Sequence, residues 1–384
     1  MLRIEDAHLP GLADLSGDRL RAITGADEVD LLRLRYRPGK RAILHVATWK
    51  NGHSAEGTLW FFGGDKGRRI ARRNRMASSF DPETAALFEA FPQDHRMPQI
   101  RRFLADYESV LQKMTGRRAC GVPVLLRYRP GLSCTFRCAI DGPDPVYVKL
   151  INDDDPQRLQ TANRAMQDAL ASSGTTVAPV LGIDRDLGAV AYGSAPGLPL
   201  DQAVSDITSL APLDRTIAGL RHFWAAPIPC GRTLDPEMLL ARARESVDFV
   251  AITAPDCLSD VASILRNLEK RRPDAPLRPI HADMKLEHVV LDPDQTTLID
   301  TESVSLGLPD YDLAQLFGRI WQAEQESRFP SQFAEAAAAQ VRSAAGTSFD
   351  WCLGIVAVRL PKFYAQRPGP DTDSAIRAIL GRLA

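Results

Sequence analysis

Two carboxylates and a histidine stand close together in the sequence, at Asp283, His288 and Asp300. Two short apolar runs lie between the histidine and the second carboxylate, separated by the turn-forming residues 292–294. Apolar runs on either side of a turn predict a strand–turn–strand hairpin, which would bring the three side chains together. One carboxylate can orient or deprotonate a hydroxyl group while the other holds a divalent metal ion. Phosphoryl transfer needs that pair, because its catalysis consists mostly of positioning and charge neutralisation.

The spacing of these residues resembles the catalytic loop of the protein-kinase-like superfamily, His-Arg-Asp-x-x-x-x-Asn. His281 and Asp283 match its His and Asp, whereas His288 stands where the Asn is expected. Asp300 matches the metal-binding Asp of the Asp-Phe-Gly segment, although residues 301–302 are Thr-Glu. Small-molecule kinases of this superfamily commonly lack that Phe-Gly. The sequence is most similar to their aminoglycoside phosphotransferase and choline kinase branch.

The resemblance implies a role for each residue of the loop. Asp283 would orient the acceptor hydroxyl and accept its proton, and Lys285 would meet the transferring phosphate. Asp300 would bind a Mg²⁺ ion that bridges the nucleotide phosphates. Glu302 either joins the metal shell or is an exposed loop acid.

His288 leaves several interpretations open. A neutral imidazole is a poorer Mg²⁺ ligand than an amide oxygen, because Mg²⁺ prefers hard oxygen donors. His288 therefore binds the metal through water, hydrogen-bonds Asp283, favours Mn²⁺, or has only a structural role. His281 is expected to hold the loop backbone. Asp312, at the start of a predicted helix, is expected to brace the loop, as the resemblance implies.

The string Arg-Tyr-Arg-Pro-Gly occurs twice, at residues 35–39 and 127–131, and strand-like alternation follows each copy. The recurrence predicts a duplicated unit of three strands, with chance repetition as the alternative. In the first copy, the alternation predicts two antiparallel strands within residues 31–49. A third strand is predicted near Thr58 to Phe62, after the turn at Asn51-Gly52.

The second copy continues into an apolar strand that contains Lys149. This strand resembles the kinase strand whose Lys pairs with the nucleotide phosphates. The first copy has Trp60-Phe61-Phe62 at the comparable place, so only the second copy is predicted to hold nucleotide. The resemblance places the turn at Gly131 over the phosphates, with backbone N–H groups and the Ser133 hydroxyl as donors. An exposed strand lysine and a purely structural hairpin are the alternatives.

A predicted helix over residues 157–172 follows, where protein kinases supply a Glu that pairs with the strand Lys. Here the helix contains no Glu, and Asp168 is its only clear acid. Gly and Pro residues then mark a hinge, similar to the segment that joins the lobes in aminoglycoside phosphotransferases. This resemblance places the adenine near Ala191, Tyr192 and Gly193. It leaves ATP and GTP open, because the hinge backbone reads the edge of the base.

The sequence thus predicts an α+β, bilobal protein-kinase-like fold. Its small antiparallel β-sheet lobe would span residues 121–195 and its mostly helical lobe residues 196–384. An extra N-terminal β-rich unit, residues 1–120, would resemble a duplicated small-lobe sheet. Within this unit, the basic residues 66–75 predict either a solvated helix face or a surface that contacts a phosphate-rich partner. The sequence Asp-Pro-Glu at residues 81–83 predicts a short helix that ends at Phe91.

Composition excludes several classes of function. The net charge of −1 over 384 residues gives no overall electrostatic attraction to nucleic acid or to a membrane surface. No apolar run reaches the roughly 18 residues of a membrane-spanning helix, and the N-terminus lacks a signal-peptide core. The six cysteines are scattered, which is typical of reduced thiols in the cytoplasm.

The leading hypothesis is an ATP- and Mg²⁺-dependent phosphotransferase that acts on a hydroxyl group of a small molecule, such as a sugar, an amino sugar or an amino alcohol. The alternative is a weak or inactive pseudokinase that binds nucleotide or a protein partner, as His288 and the missing helix Glu suggest. A kinase of protein substrates is disfavoured, because no Ala-Pro-Glu segment follows Asp300.

Overall fold

The computed structural model describes residues 4–73, 79–152, 154–171, 173–203, 209–366 and 371–383. The chain forms two compact units. The first unit comprises Met1–Pro156, Gly182–Ala191 and Ala365–Thr372. The second unit comprises Gln157–Leu181, Tyr192–Tyr364 and Asp373–Ala384. The predicted combination of antiparallel sheets with a helical region is confirmed.

The first unit is built around two five-stranded sheets. The first sheet contains β1 Glu28–Arg37, β2 Arg41–Lys50, β3 His53–Phe62, β4 Ser79–Asp81 and β5 Ala86–Ala90. The second contains β6 Val124–Arg129, β7 Ser133–Cys138, β8 Val146–Ile151, β10 Val180–Asp184 and β11 Ala189–Tyr192. Four helices accompany them within the described residues: α1 Gly17–Thr24, α2 Lys66–Arg73, α3 Gln99–Ala105 and α4 Tyr107–Thr115.

The second unit is mostly helical. Its helices are α5 Pro156–Leu170, α6 Leu200–Ala203, α7 Ala211–Ala225, α8 Pro236–Thr253, α9 Leu258–Lys270, α10 Pro309–Gln325, α11 Ser331–Ser343, α12 Phe349–Ala365 and α13 Thr372–Leu383. Its short strands are β9 Thr175–Val177, β12 Leu198–Pro199, β13 Thr233–Leu234, β14 Arg278–Ile280, β15 Val289–Leu291, β16 Thr296–Leu298 and β17 Ser305–Gly307. In the described parts of the chain, no helix is long and apolar enough to cross a membrane.

The two large sheets share one topology. The strand order is β1-β2-β3-β5-β4 in the first and β6-β7-β8-β11-β10 in the second. A helix follows the third strand in each case, α2 after β3 and α5 after β8. The internal repeat predicted from the sequence is therefore longer than three strands, because it includes all five strands and this helix.

The Pro-Gly turn of the first copy folds over one carboxylate. Asp6 Oδ2 accepts hydrogen bonds from the Tyr36 hydroxyl (2.6 Å) and from the Gly39 N–H (2.7 Å). Asp6 Oδ1 accepts a third from the His8 N–H, at 2.8 Å. A carboxylate with three donors fixes both the hairpin and the loop that precedes it.

The second copy repeats this arrangement atom for atom. Asp94 Oδ2 accepts from the Tyr128 hydroxyl (2.8 Å) and from the Gly131 N–H (2.6 Å). Asp94 Oδ1 accepts from the Arg96 N–H, at 2.8 Å. Asp94 is 5% exposed, whereas Asp6 is half-buried. The Asp94 carboxylate therefore needs its hydrogen-bond donors more than the Asp6 carboxylate does. Equivalent contacts at both turns argue against chance recurrence of the five-residue string.

The helix before each sheet ends in the same way. The hydroxyl groups of Thr24 and Thr115 each donate a hydrogen bond to the carbonyl four residues earlier, at 2.8 and 2.7 Å. Each is followed by a left-handed glycine, Gly25 or Gly116, that closes the last turn. The duplication therefore includes the helix that precedes each sheet.

The predicted helix from residue 81 to Phe91 is wrong. Asp81 ends β4 instead, and the chain turns back into β5, which pairs with β3. The carboxylate of Asp81 accepts the Thr84 N–H and pairs with Arg19, so it closes a turn. An acidic residue before Pro favours turns as well as helix starts. Here the chain forms a turn, because the residues that follow pair with β3 as strand β5.

The duplicated carboxylates provide a matched stability test. We expect Asp94→Ala to lower the free energy of unfolding by about 3 kcal/mol, because it leaves buried donors without an acceptor. Asp6→Ala removes the same set of bonds nearer to solvent and should cost about 1 kcal/mol. Denaturant unfolding of both variants gives the comparison, and equal small losses would contradict this interpretation.

Candidate active site

The hairpin predicted from the sequence brings the three chemical residues together. β15 pairs with β16 in antiparallel fashion, from Val289 opposite Leu298 onward. One ligand atom from each of Asp283, His288 and Asp300 lies within 4.8 Å of the others. The loop before β15 supplies the first two residues, and the residue after Ile299 supplies the third.

His288 links the other two members of the cluster. Its Nδ1 donates to the main-chain carbonyl of Asp283 at 2.9 Å, because a carbonyl can only accept. Its Nε2 lies 3.1 Å from Asp300 Oδ2. Because Nδ1 is the donor to the carbonyl, Nε2 is the ring atom directed at the carboxylate, which is how metal-ligating histidines are oriented.

Lys285 pairs with the Asp283 side chain. The Lys285 Nζ atom lies 2.8 Å from Asp283 Oδ2, and the lysine side chain is only 12% exposed. Burial alone would raise the pKa of Asp283, but the charges of Lys285 and His288 and the Lys285 hydrogen bond hold that pKa below its usual value. Asp283 is therefore ionised at neutral pH and able to accept a hydroxyl proton.

Asp312 braces the main chain of the loop. Its two oxygens accept the N–H groups of His281 and Ala282, each at 2.8 Å, and Oδ2 also accepts from Trp224 Nε1 at 3.1 Å. Burial raises the pKa of Asp312 to about 6, and these three donors keep it from rising further. The bracing role expected for Asp312 matches these contacts.

Two non-glycine residues of the site have left-handed backbone conformations. Ala282 has φ of 64° and Asp300 has φ of 60°. Such conformations cost of order 1 kcal/mol or more and persist only where surrounding contacts impose them. For Ala282 that contact is its hydrogen bond to Asp312. The backbone strain therefore lies at Ala282, which precedes Asp283, and at Asp300 itself.

His281 ties the catalytic loop to the end of the hairpin. Its Nε2 donates to the Ile299 carbonyl at 3.1 Å, so it fixes the residue that precedes Asp300. Burial, and after it the nearby His288 ring, lower the pKa of His281 to about 4. His281 is therefore neutral, as the structural role expected from the sequence requires.

Two carboxylates and one imidazole form a donor set that fits a divalent ion. Ligands of one Mg²⁺ lie about 3 to 4 Å apart for bonds of about 2.1 Å, which is close to the spacing found here. Asp300 and His288 would hold the ion, with the Asp283 carboxylate beside it. The imidazole makes the set softer than the all-oxygen set that Mg²⁺ prefers, so Mn²⁺ fits it at least as well.

Other predicted residues lie outside this cluster. Glu302 Oε1 accepts the Tyr192 hydroxyl at 2.9 Å, which joins a predicted metal ligand to a predicted hinge residue. The Gly193 N–H donates to the Pro179 carbonyl at 2.8 Å. Ala191 is fully buried. Their assignments to metal and adenine stay predictions.

The predicted phosphate-binding residues belong to the first unit. Lys149 lies on β8 opposite Thr135 of β7, and Ser133 is buried at the start of β7. The Gly131 N–H is bonded to Asp94, so this amide holds the turn. The roles of Lys149, Ser133 and Gly131 toward nucleotide stay predictions.

The first copy has a different residue at the position of Lys149. Ile43, four residues after the turn glycine, pairs with Trp60, as Thr135 pairs with Lys149 in the second copy. Trp60 is fully buried, and its ring lies 2.9 Å from where a Cβ on Gly131 would be. Trp60 thus occupies, on the first sheet, the place where the second sheet has its lysine.

Sequence reasoning missed two residues that support the site. Asp94 accepts the Gly131 N–H and so holds that turn. The sequence pattern that could have identified it is a Pro four residues after the Asp, which occurs after both Asp94 and Asp6. Gln315 accepts the Met284 N–H through its side-chain oxygen at 3.1 Å. No sequence pattern indicated Gln315, because that contact depends on how α10 packs under the loop.

Comparisons with known proteins agree with this fold. A sequence model of the phosphotransferase enzyme family matches residues 51–347. The solved choline kinase LicA from Streptococcus pneumoniae is 14% identical with a TM-score of 0.52, over 74% of this chain and 99% of that one. Amicoumacin kinase hAmiN, solved with AMP-PNP and Ca²⁺, is 11% identical with a TM-score of 0.50, over 75% and 96%. No curated protein sequence matches. The predicted kinase-like fold is confirmed.

Neutral, buried His281 should make the protein acid-sensitive. Its folded pKa of about 4 lies below the unfolded value of about 6.5, so the unfolded chain takes up the proton first. The contribution of His281 to stability is complete above pH 6.5 and is lost as pH falls toward 4, by about 3 kcal/mol in all. Denaturant unfolding across that range should show a shallower loss for His281→Asn, and an unchanged slope would contradict the assignment.

Metal preference tests His288. We expect His288→Asn to raise the affinity for Mg²⁺ relative to Mn²⁺ several-fold, because an amide oxygen is a harder ligand than imidazole. Titration calorimetry with each ion and a non-hydrolysable nucleotide measures this ratio. His222→Asn, at an exposed histidine on α7, is the control. A ratio that stays the same would show that His288 does not ligate the ion.

Proposed function

The chain belongs to the phosphotransferase enzyme family, and we propose that it transfers the terminal phosphoryl group of a nucleoside triphosphate to a hydroxyl group of a small molecule. The observation that supports this most directly is the convergence of Asp283, His288 and Asp300 at the end of one hairpin. A sugar, an amino sugar and an amino alcohol are the acceptor types that the sequence leaves open.

In the proposed reaction, Asp283 orients the acceptor hydroxyl and accepts its proton as the oxygen bonds to phosphorus. The bond between the terminal phosphorus and the bridging oxygen breaks, and the nucleoside diphosphate leaves. A weakly basic carboxylate suffices, because positioning contributes more than proton abstraction in such transition states. Lys285, whose Nζ lies 2.8 Å from Asp283 Oδ2, would neutralise charge on the transferred group.

A divalent ion would supply charge neutralisation on the nucleotide phosphates. On this chain Asp300 would hold it together with His288, whose ring orientation is fixed by the Asp283 carbonyl. Lys149 is proposed to bind the nucleotide phosphates, and Tyr192 and Gly193 the base.

A pseudokinase remains the second candidate, and one observation favours it. His288 Nε2 contacts the Asp300 carboxylate where an amide would stand in the kinase loop. An imidazole that binds this carboxylate would compete with a metal ion for it. Asp283-dependent transfer of phosphate to any acceptor would exclude this candidate.

Nucleotide binding tests the proposal. We expect Mg-ATP to raise the thermal unfolding midpoint of the wild type, because a ligand at a hundred times its Kd stabilises the folded state by about 2.7 kcal/mol. Asp300→Ala should lose the Mg²⁺-dependent part of the rise, since it removes a metal ligand. Asp294→Ala, an exposed acid in the turn of the same hairpin, should retain it. No rise in any of the three proteins would contradict the proposal.

A further inference from the structure

Four side chains on one face of the first sheet form one wall of a small pocket. Arg33 and Arg35 lie two positions apart on β1, and a strand directs such residues to the same face. Their pairing partners on β2 are His45 and Ile43. Residues that pair across neighbouring strands share a face. All four residues line the pocket, as this register requires.

The Pro-Gly turn of the second copy forms the opposite wall. Tyr128, Arg129 and Pro130 complete the lining. The Arg35 guanidinium donates a hydrogen bond to the Pro130 carbonyl. The rings of His45 and Tyr128 meet edge to face, with their centres 5.4 Å apart. All of these residues belong to the first unit, so the pocket lies between the two copies of the repeat within that unit.

Three arginines line this pocket, Arg33, Arg35 and Arg129. Arg35 is half-buried, and in the described parts of the chain no carboxylate oxygen lies within 4.0 Å of its guanidinium nitrogens. Burial, and after it the charges of Arg129 and Arg33, lower the pKa of Arg35 to about 9, so the side chain is charged at neutral pH. Partly desolvated like charges are costly to keep together unless an anion joins them.

Contacts with Gln366 hold Arg33 in place. The Arg33 Nε and one terminal nitrogen donate to Gln366 Oε1, at 3.0 and 2.6 Å. The main-chain carbonyl of Gln366 accepts the Leu34 N–H at 2.8 Å, which fastens this segment to β1. Gln366 belongs to the first unit as well. The positive charge of Arg33 is therefore fixed beside the pocket before any ligand arrives.

The nearest acids already have partners. His45 Nε2 lies 2.7 Å from Glu56 Oε2. Asp94 accepts hydrogen bonds from the Tyr128 hydroxyl and from two main-chain N–H groups. Neither acid is among the residues that line the pocket, and the described lining contains no carboxylate. An anion that enters would therefore meet arginines without facing an acidic side chain in the wall.

The size of the pocket favours a single charged group over a whole molecule. Its empty space, with the mouth included, is about 270 Å³. Sites that enclose a complete small molecule run from about 300 to 1,000 Å³. A phosphate group carries up to two charges and accepts paired hydrogen bonds from the planar guanidinium fork. It therefore suits a small pocket with three arginines better than a singly charged carboxylate does.

The repeat relates this pocket to the Lys149 face of the second sheet. Arg35 has Arg127 as its counterpart in the repeated five-residue string. Arg127 shares a face with Lys149, because both residues pair with Thr135. Arg35 shares a face with Trp60 in the same way. The first copy thus keeps arginines on the equivalent face, although an indole replaces the lysine.

We propose that this pocket binds the phosphate group of a small molecule, held by Arg35 together with Arg33 and Arg129. The phosphate would occupy the pocket, and the rest of the ligand would lie at its mouth. None of the lining residues belongs to the cluster that contains Asp300, so the inference is independent of the proposed function. The site would be a second place on this chain for a phosphate-bearing ligand.

The test measures binding to the full-length protein in phosphate-free buffer at fixed ionic strength. The probes are inorganic phosphate, ribose 5-phosphate, ribose and acetate. The first two distinguish a free ion from a phosphate ester, ribose lacks the phosphate, and acetate replaces it with a carboxylate. Thermal shift detects binding, because a ligand of the folded state raises the unfolding midpoint, and titration calorimetry gives the Kd.

Four variants accompany the wild type: Arg35→Met, Arg35→Lys, Arg118→Met and Asp300→Ala. Arg35→Lys keeps the charge but loses the planar fork. Arg118 is the control, because it is an exposed arginine of the same unit that pairs with Asp141. Asp300→Ala removes a proposed metal ligand. Each midpoint is compared with that of the same protein without a probe, so a change in the stability of a variant does not enter.

We expect both phosphate compounds to bind the wild type, and ribose and acetate to leave its midpoint unchanged. Ribose 5-phosphate should bind at least as tightly as inorganic phosphate, because the pocket opens to solvent. Arg35→Met should weaken binding about 30-fold, as expected for loss of a charge-assisted contact. Arg35→Lys should recover part of the affinity. Arg118→Met and Asp300→Ala should bind phosphate as the wild type does.

Four results would overturn the inference. The first is a wild type that binds neither phosphate compound. The second is full affinity in Arg35→Met or, where that variant does not fold, in Arg35→Lys. The third is acetate binding as tight as phosphate binding. The fourth is loss of phosphate binding in Asp300→Ala, which would assign the anion to the proposed metal site.

Discussion

The site depends on one buried carboxylate that does not touch the reacting groups. Asp312 accepts the main-chain N–H groups of His281 and Ala282, and so imposes the left-handed turn that leads into Asp283. Burying an ionised carboxylate is costly, and these donors offset that cost. The same helix carries Gln315, which holds the next part of the loop. The position of Asp283 is thus set by α10, and the position of Asp300 is set by the hairpin that His281 ties to the loop.

A second carboxylate has the equivalent role in the first unit. Asp94 holds the turn at Gly131 as Asp6 holds the turn at Gly39, and both belong to a repeat of helix and five-stranded sheet. The copies then differ at one strand position, Trp60 in the first and Lys149 in the second. A buried indole stabilises packing, whereas a lysine can bind phosphate. The two copies therefore carry a buried indole and a lysine at equivalent strand positions.

Much of the site followed from the sequence, because its parts are local. The hairpin that joins His288 to Asp300, the bracing Asp312 and the strands before and after each Pro-Gly turn depend on short-range pattern and spacing. The residues that were missed depend on packing between distant segments. Gln315 contacts the loop only because α10 lies beneath it. The turn at Asp81 was predicted as a helix because the pairing strand that decides it lies elsewhere in the chain.

The central claim is that His288 and Asp300 hold a divalent ion beside Asp283 for phosphoryl transfer. Anomalous diffraction from crystals grown with Mn²⁺ and a non-hydrolysable ATP analogue tests it most directly. The account predicts an anomalous peak within bonding distance of an Asp300 oxygen, at about 2.2 Å, and beside His288. A nucleotide-bound crystal with no peak in this cluster, or with the ion held by other side chains, would contradict it.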